Sequence, residues 1–169
     1  MEAERPGELV GVDCFFVGRL SGTKGAVWQL TAIDVASSYA WAELVRCPHG
    51  QPTGEQTSRL ARRVGAGWGL ERMLSDNGGE FRGRYFRSTL EGLGVRQSFI
   101  RAGRPQTNGA VGVPAPDDSR RVRRPAFARF LHVPFTGLRR ELDTYLDYYT
   151  NDRIHHGRLT GGRIPADLV

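Results

Sequence analysis

LSDNGGEF, residues 74–81, is the stretch on which the fold turns. Met73 and Leu74 make an apolar approach, and Asp76, Asn77, Gly78 and Gly79 then read as a strand end followed by a tight turn. Glu80 and Phe81 open the next helix. A strand–turn–helix of this kind puts the Asp76 carboxylate at the edge of a sheet, where it can hold something. Aspartate before Asn-Gly is also an ordinary turn signal, so the choice depends on what surrounds it.

Working outward, residues 72–75 form a short strand between two segments of helical spacing. Residues 53–64 place Thr57, Leu60, Ala61 and Val64 on one face. Residues 80–93 do the same with Phe81, Tyr85, Phe86, Thr89, Leu90 and Leu93, and stop at Gly94. Residues 95–100 follow as a further strand. Upstream, residues 9–17, 26–35 and 39–46 are strand-like runs whose short connections suit a three-stranded antiparallel meander. The order β-β-β-α-β-α-β predicts an α/β fold with a mixed five-stranded sheet, three antiparallel strands plus two further strands, flanked by helices. Residues 136–149 add a last helix, with Leu138, Leu142, Tyr145, Leu146 and Tyr149 on one face. There are no internal repeats.

Asp13 is the second informative residue. It interrupts the apolar first strand, VGVDCFFVG, and a charge there is costly unless it is paired, solvated on an edge strand or bound to a cation. If Asp13 on the first strand and Asp76 at the end of the fourth strand converge, they offer oxygen ligands to a hard metal ion. Two such ions could clamp the attacking and leaving oxygens of a phosphodiester.

The chain has 169 residues, 39% hydrophobic and 25% charged, which suits one soluble domain with its own core. No stretch approaches the ~20 apolar residues of a membrane span, and the start lacks the pattern of a signal peptide, so the expectation is a cytoplasmic protein without membrane contact. Cys14 and Cys47 have no metal-ligand spacing and read as reduced, packed thiols. The net charge is +6, and the excess lies beyond residue 100, where 12 basic side chains face 7 acidic ones. Of the 24 basic residues, 23 are arginine, the side chain suited to bidentate phosphate contact, which points to a polyanion such as DNA. A GC-rich coding sequence would also favour arginine, so charge alone decides little.

These residues resemble the integrase catalytic core shared by retroviral integrases and bacterial insertion-sequence transposases, whose fold is ribonuclease-H-like. The resemblance spans nearly the whole chain. It rests on Asp13 in the first strand, TAIDVASSYAWAELV (31–45), LSDNGGEF, RPQTNGAV (104–111) and the closing YYTNDRIHHGRLTGGRIPADLV (148–169). It implies that Asp13 and Asp76 are the first two carboxylates of a catalytic triad, binding Mg2+ or Mn2+. It also implies that Arg104, Gln106, Thr107, Asn108, Arg153 and His155 face DNA, that the partners are transposon ends and target DNA, and that a functional protein works as a homo-oligomer in the bacterial cytoplasm.

The resemblance fails at one point. The third acidic residue is expected directly after Val111, 36 positions beyond Asp76, and this chain has Gly112 there. The following GVPAPDDSRRVRRP carries Pro114, Pro116 and Pro125, which are incompatible with the helix expected at that place. Residues 112–124 are therefore expected to be aberrant and disordered, between a core that spans residues 9–169 and an N-terminal tail of residues 1–8. One coding of PDDSRRV, read a base later, gives Arg-Thr-Ile-Leu-Glu-Glu, a glutamate-bearing helix. Two compensating frame shifts or sequencing errors would explain the stretch, and sequencing codons 110–125 of the source DNA tests that idea.

Other acidic and basic residues are weaker candidates. Asp117 and Asp118 fall late, beyond two prolines, and metal ligands need rigid support. Glu80 reads as a first-turn residue favoured by the helix dipole. Asp34 reads as a turn residue and as the nearest candidate neighbour of the aspartate pair. Adjacent His155 and His156 cannot both face one ion from a regular element. RRVRR, residues 120–124, is accidental charge if the frame was shifted. Only eight residues precede the core, too few for the DNA-reading module such proteins need, so the chain reads as a fragment. Two functions follow: a metal-dependent DNA strand-transfer domain, inactive as encoded, or a non-catalytic transposase remnant with weak nucleic-acid binding.

Overall fold

The computed structural model describes residues 3–20, 24–100, 134–156 and 160–169. Three antiparallel strands come first, β1 (Val10–Gly18), β2 (Ala26–Asp34) and β3 (Ala40–Cys47). Helix α1 (Gly54–Gly65) leads to β4 (Arg72–Ser75), and α2 (Gly79–Arg82) and α3 (Arg84–Gly92) lead to β5 (Arg96–Phe99). Helix α4 (Phe135–Asn151) follows, and a 3-10 turn (Pro165–Leu168) closes the chain. The sheet order is β3-β2-β1-β4-β5, antiparallel on the β3 side of β1 and parallel on the other.

Strand alternation divides the core in two. Val10 and Val12 of β1, Leu30 of β2, Trp41 of β3 and Met73 of β4 face α1 and α3, which contribute Leu60, Ala61, Val64, Phe86 and Leu90. Residues of the opposite parity, Val17, Val27, Ala42 and Leu44, meet Leu138 and Leu142 of α4. The sheet is thus a middle layer covered on both faces, as period-2 alternation in β2 and β3 requires. Helix α1 starts where its sequence provides a capping box: the Gln56 N–H donates to Thr53 Oγ1 at 3.4 Å, and the Thr53 N–H donates to Gln56 Oε1 at 3.0 Å.

The single helix expected over residues 80–93 is two. Gly83 adopts φ −61°, ψ 148°, so the chain turns between α2 and α3. An unbroken helix would put Phe81 and Phe86, five residues apart, on different faces. The break lets both be buried, with ring centroids 5.3 Å apart in an edge-on contact. Glycine makes the break inexpensive because it stabilises helix poorly. Tyr85 and Leu93, expected inside, are instead 52% and 38% exposed.

Candidate active site

Asp13 sits in the middle of β1, not at its end, because β1 runs on to Gly18 while β4 is short. Only Val10 and Gly11 of β1 pair with β4, opposite Met73 and Leu74. Carrying that parallel register two residues further sets Asp76 across from Asp13, on the same side of the sheet. Both aspartates are exposed: Asp13 still pairs with Thr31 of β2, but the β4 ladder on its other side stops at Gly11 and Leu74.

Local hydrogen bonds hold both groups. Asp13 Oδ1 accepts the Cys14 N–H at 2.8 Å. Asp76 Oδ1 accepts the Gly78 N–H at 2.9 Å, closing the turn that follows β4, and Asn77 Nδ2 donates to the Ile100 carbonyl at 3.4 Å. The turn that carries Asp76 is thereby tied to the end of β5. Desolvation by the flanking strands raises the Asp13 pKa above its ordinary value, although the carboxylate reaches solvent. The negative charges of Asp76 and Glu80 raise it further, and only the Cys14 N–H opposes them.

Glu80 is the residue that sequence reading undervalued. It does lie in the first turn of α2. Its carboxylate also folds back over Gly78, where an added Cβ would meet Glu80 Oε2 at 2.7 Å. Burial, followed by the Glu80 charge and a hydrogen bond to Glu80, pushes the Cys14 thiol far up, with Asp13 and Asp76 adding to the effect. These effects favour the protonated thiol at Cys14. The signal was available in the D-x-x-x-E spacing, but which way a first-turn glutamate points is set by the turn.

Asp34 is corrected as a neighbour of the pair. It lies opposite Val10, three residues from Asp13 along β1, and is fully buried. Its Oδ1 accepts the Gly7 N–H at 2.8 Å, and its Oδ2 accepts the Ser37 N–H and Ser37 hydroxyl at 2.7 Å each. The turn reading stands, and the carboxylate also fastens residues 3–8, including buried Ala3, to the end of the sheet.

Arg153 and His155 pack against α4. Arg153 Nη1 donates to the Tyr145 hydroxyl at 3.3 Å, and its guanidinium lies 5.5 Å from the Tyr149 ring centroid. The His155 ring meets Tyr149 edge-on at 4.4 Å, while its backbone N–H donates to the Arg163 carbonyl at 3.1 Å. Arg104, Gln106, Thr107, Asn108 and Gly112, with the whole of 112–124, lie outside the described residues.

One carboxylate on β1 and one just past the end of β4, with no ion pair to any cation among the described residues, are the oxygen donors that a hard divalent cation such as Mg2+ or Mn2+ takes. Among the described residues no His, Cys, Asp or Glu completes a set of three.

A mixed sheet of this order with helices on both faces defines a ribonuclease-H-like fold. Residues 3–105 match the Integrase core domain family, and the chain belongs to that family, one of DNA integration whose members generally depend on a divalent metal. The fold is similar to a chain of the cryo-EM structure of the simian T-cell lymphotropic virus intasome in complex with PP2A regulatory subunit B56 gamma. The TM-score is 0.77 at 13% identity, covering 99% of this chain and 56% of that one. The chain thus spans little more than half the length of that relative, and the likeness is one of fold. Among the described residues no helix is long and apolar enough to cross a membrane.

Proposed function

We propose that this chain is the core of a transposase of the insertion-sequence kind, built for metal-dependent phosphoryl transfer on DNA ends and target DNA. The observation that supports the reading is the parallel register of β1 and β4, pairing Val10 with Met73 and Gly11 with Leu74, which, carried two residues further, would bring Asp13 opposite Asp76. In this reading both residues hold the cation, and Asp13 must lose its proton to do so. A bound Mg2+ would supply Lewis-acid stabilisation of charge on the phosphodiester oxygens. The chain's own contribution is to hold one carboxylate on β1 and the other in the hydrogen-bonded turn that follows β4. Arg104, Gln106, Thr107, Asn108, Arg153 and His155 are proposed to face DNA, and a functional assembly is proposed to be oligomeric.

Gly112 favours a second reading, in which the chain as encoded is a non-catalytic remnant. Glycine provides no oxygen ligand where the resemblance expects glutamate, and loss of a metal ligand or its orientation removes much of a metal-dependent rate. Strand cleavage by the unmodified chain in Mg2+ should therefore be at background. Gly112→Glu alone should not rescue it, because the new carboxylate would enter a proline-rich sequence. Mg2+-dependent cleavage of DNA ends by the unmodified chain, abolished by Asp76→Asn, would return the catalytic reading to first place.

A further inference from the structure

Helices α1 and α3 approach closely at two glycines. A Cβ built on Gly54 would lie 3.5 Å from Tyr85 Cβ, and one on Gly65 would lie 3.4 Å from Leu93 Cδ1. Between these points the outer surface opens into a groove of about 810 Å3, lined by Arg62, Arg84, Tyr85, Ser88, Thr89 and Leu93. Arg62 is already oriented there: its Nη2 donates to Thr89 Oγ1 at 3.2 Å, and its guanidinium lies 5.9 Å from the Tyr85 ring centroid. Among the described residues neither Arg62 nor Arg84 has an ion-pair partner. The two helices carry five arginines against Glu55 and Glu91, and only Arg59, bonded to Glu43, is neutralised by an ion pair among the described residues.

Guanidinium and hydroxyl groups side by side are donors for phosphate oxygens, and an exposed tyrosine ring gives a sugar or base a surface to rest on. The Tyr85 end adjoins the carboxylate edge, because Thr57 Oγ1 of α1 donates to the Glu80 carbonyl at 3.2 Å. The other end, at Leu93, is about 12 Å away along α3. We propose that the groove between α1 and α3 is a second DNA contact of this domain, in which Arg62 and Arg84 hold the phosphodiester backbone away from the Asp13 and Asp76 pair. The inference rests on the reading of the chain as a DNA-acting domain. Charge complementarity selects the occupant: the excess of unpaired guanidinium repels a basic surface and matches a polyanion.

The test is fluorescence anisotropy of a labelled DNA duplex with the full chain in EDTA, between about 50 and about 200 mM salt. Each phosphate contact adds about 0.9 to the slope of log affinity against log salt. Arg62→Ala/Arg84→Ala should lower the slope by about 1.8, so that the wild type loses roughly tenfold more affinity than the variant over that range. Arg62→Lys/Arg84→Lys should keep the slope. If the alanine pair fails to fold by circular dichroism, Arg84→Gln alone decides, with an expected drop of about 0.9. Binding with an unchanged slope overturns the groove but leaves the proposed function standing, whereas no DNA binding by the wild type overturns both. Loss of self-association in the alanine pair, with the salt slope intact, overturns it in favour of a second copy of the chain.

Discussion

Asp34 shows how much a single buried carboxylate can organise. Its three accepted hydrogen bonds join Gly7 to the turn at Ser37, and truncation would strand those donors in a site with no exposure. Asp34→Ala should cost about 3 kcal/mol in chemical denaturation, whereas a loss below about 1 kcal/mol would mean that water replaces the carboxylate freely. Asp13 behaves in the opposite sense. Its native pKa is raised above the ordinary 3.8, so the folded chain holds this proton to higher pH than the unfolded chain. Stability therefore falls as pH rises from about 3.8 through the raised native value, then levels off. Asp13→Asn should melt higher than the wild type at neutral pH and alike below that window. A lower melting temperature for the variant at neutral pH would contradict the electrostatic account. Sequence alone told these two aspartates apart only as turn and strand residues, because burial and charge neighbours depend on which strands pair.

Periodicity and capping chemistry made the elements readable at their own scale. The three antiparallel strands lie within a residue of their expected bounds, since alternation and the Ala36-Ser37-Ser38 connection are local signals. Helix α1 carries its start in Thr53 and Gln56. Thr53→Ala removes the hydroxyl that accepts the Gln56 N–H and should cost about 1 kcal/mol. A thermal shift of zero would show that Gln56, which also donates to the Arg46 carbonyl at 3.0 Å, caps the helix without it. The division at Gly83 was not readable, because apolar residues on both sides keep a plausible helical spacing and a glycine within a helix is tolerated. That same spacing made Tyr85 and Leu93 look internal. Residues that line an open groove and residues that fill a core are both apolar at intervals of three and four, so only the packed neighbour distinguishes them.

At the scale of the molecule, the two faces of the sheet are covered unequally in kind. Helices α1 to α3 are threaded between strands and share the larger cluster, whereas α4 alone brings Leu138 and Leu142 to the second. Leu142→Ala should cost about 3 kcal/mol and should be felt first as early hydrogen exchange in α4, with the sheet still protected. Simultaneous loss of protection in α4 and β1 would show instead that both clusters unfold as one unit. The fold class followed from the order of elements, and the interruptions of two apolar strands singled out Asp13 and Asp76 as candidates. Their alignment did not, since parallel register between strands more than sixty residues apart leaves no mark in either segment.

That alignment makes the site a matter of phase. Asp13 and Asp76 agree only because β1 and β4 are in step at Val10 and Met73 and β4 then ends on time. One residue inserted before Asp76 would turn its side chain to the opposite face, and two would restore the face but displace it by about 6.6 Å. The distance from the ladder to Asp76 is therefore a length that evolution or an engineer can change only in jumps, never gradually. The composition of the turn, by contrast, is open to substitution wherever the count of residues is kept.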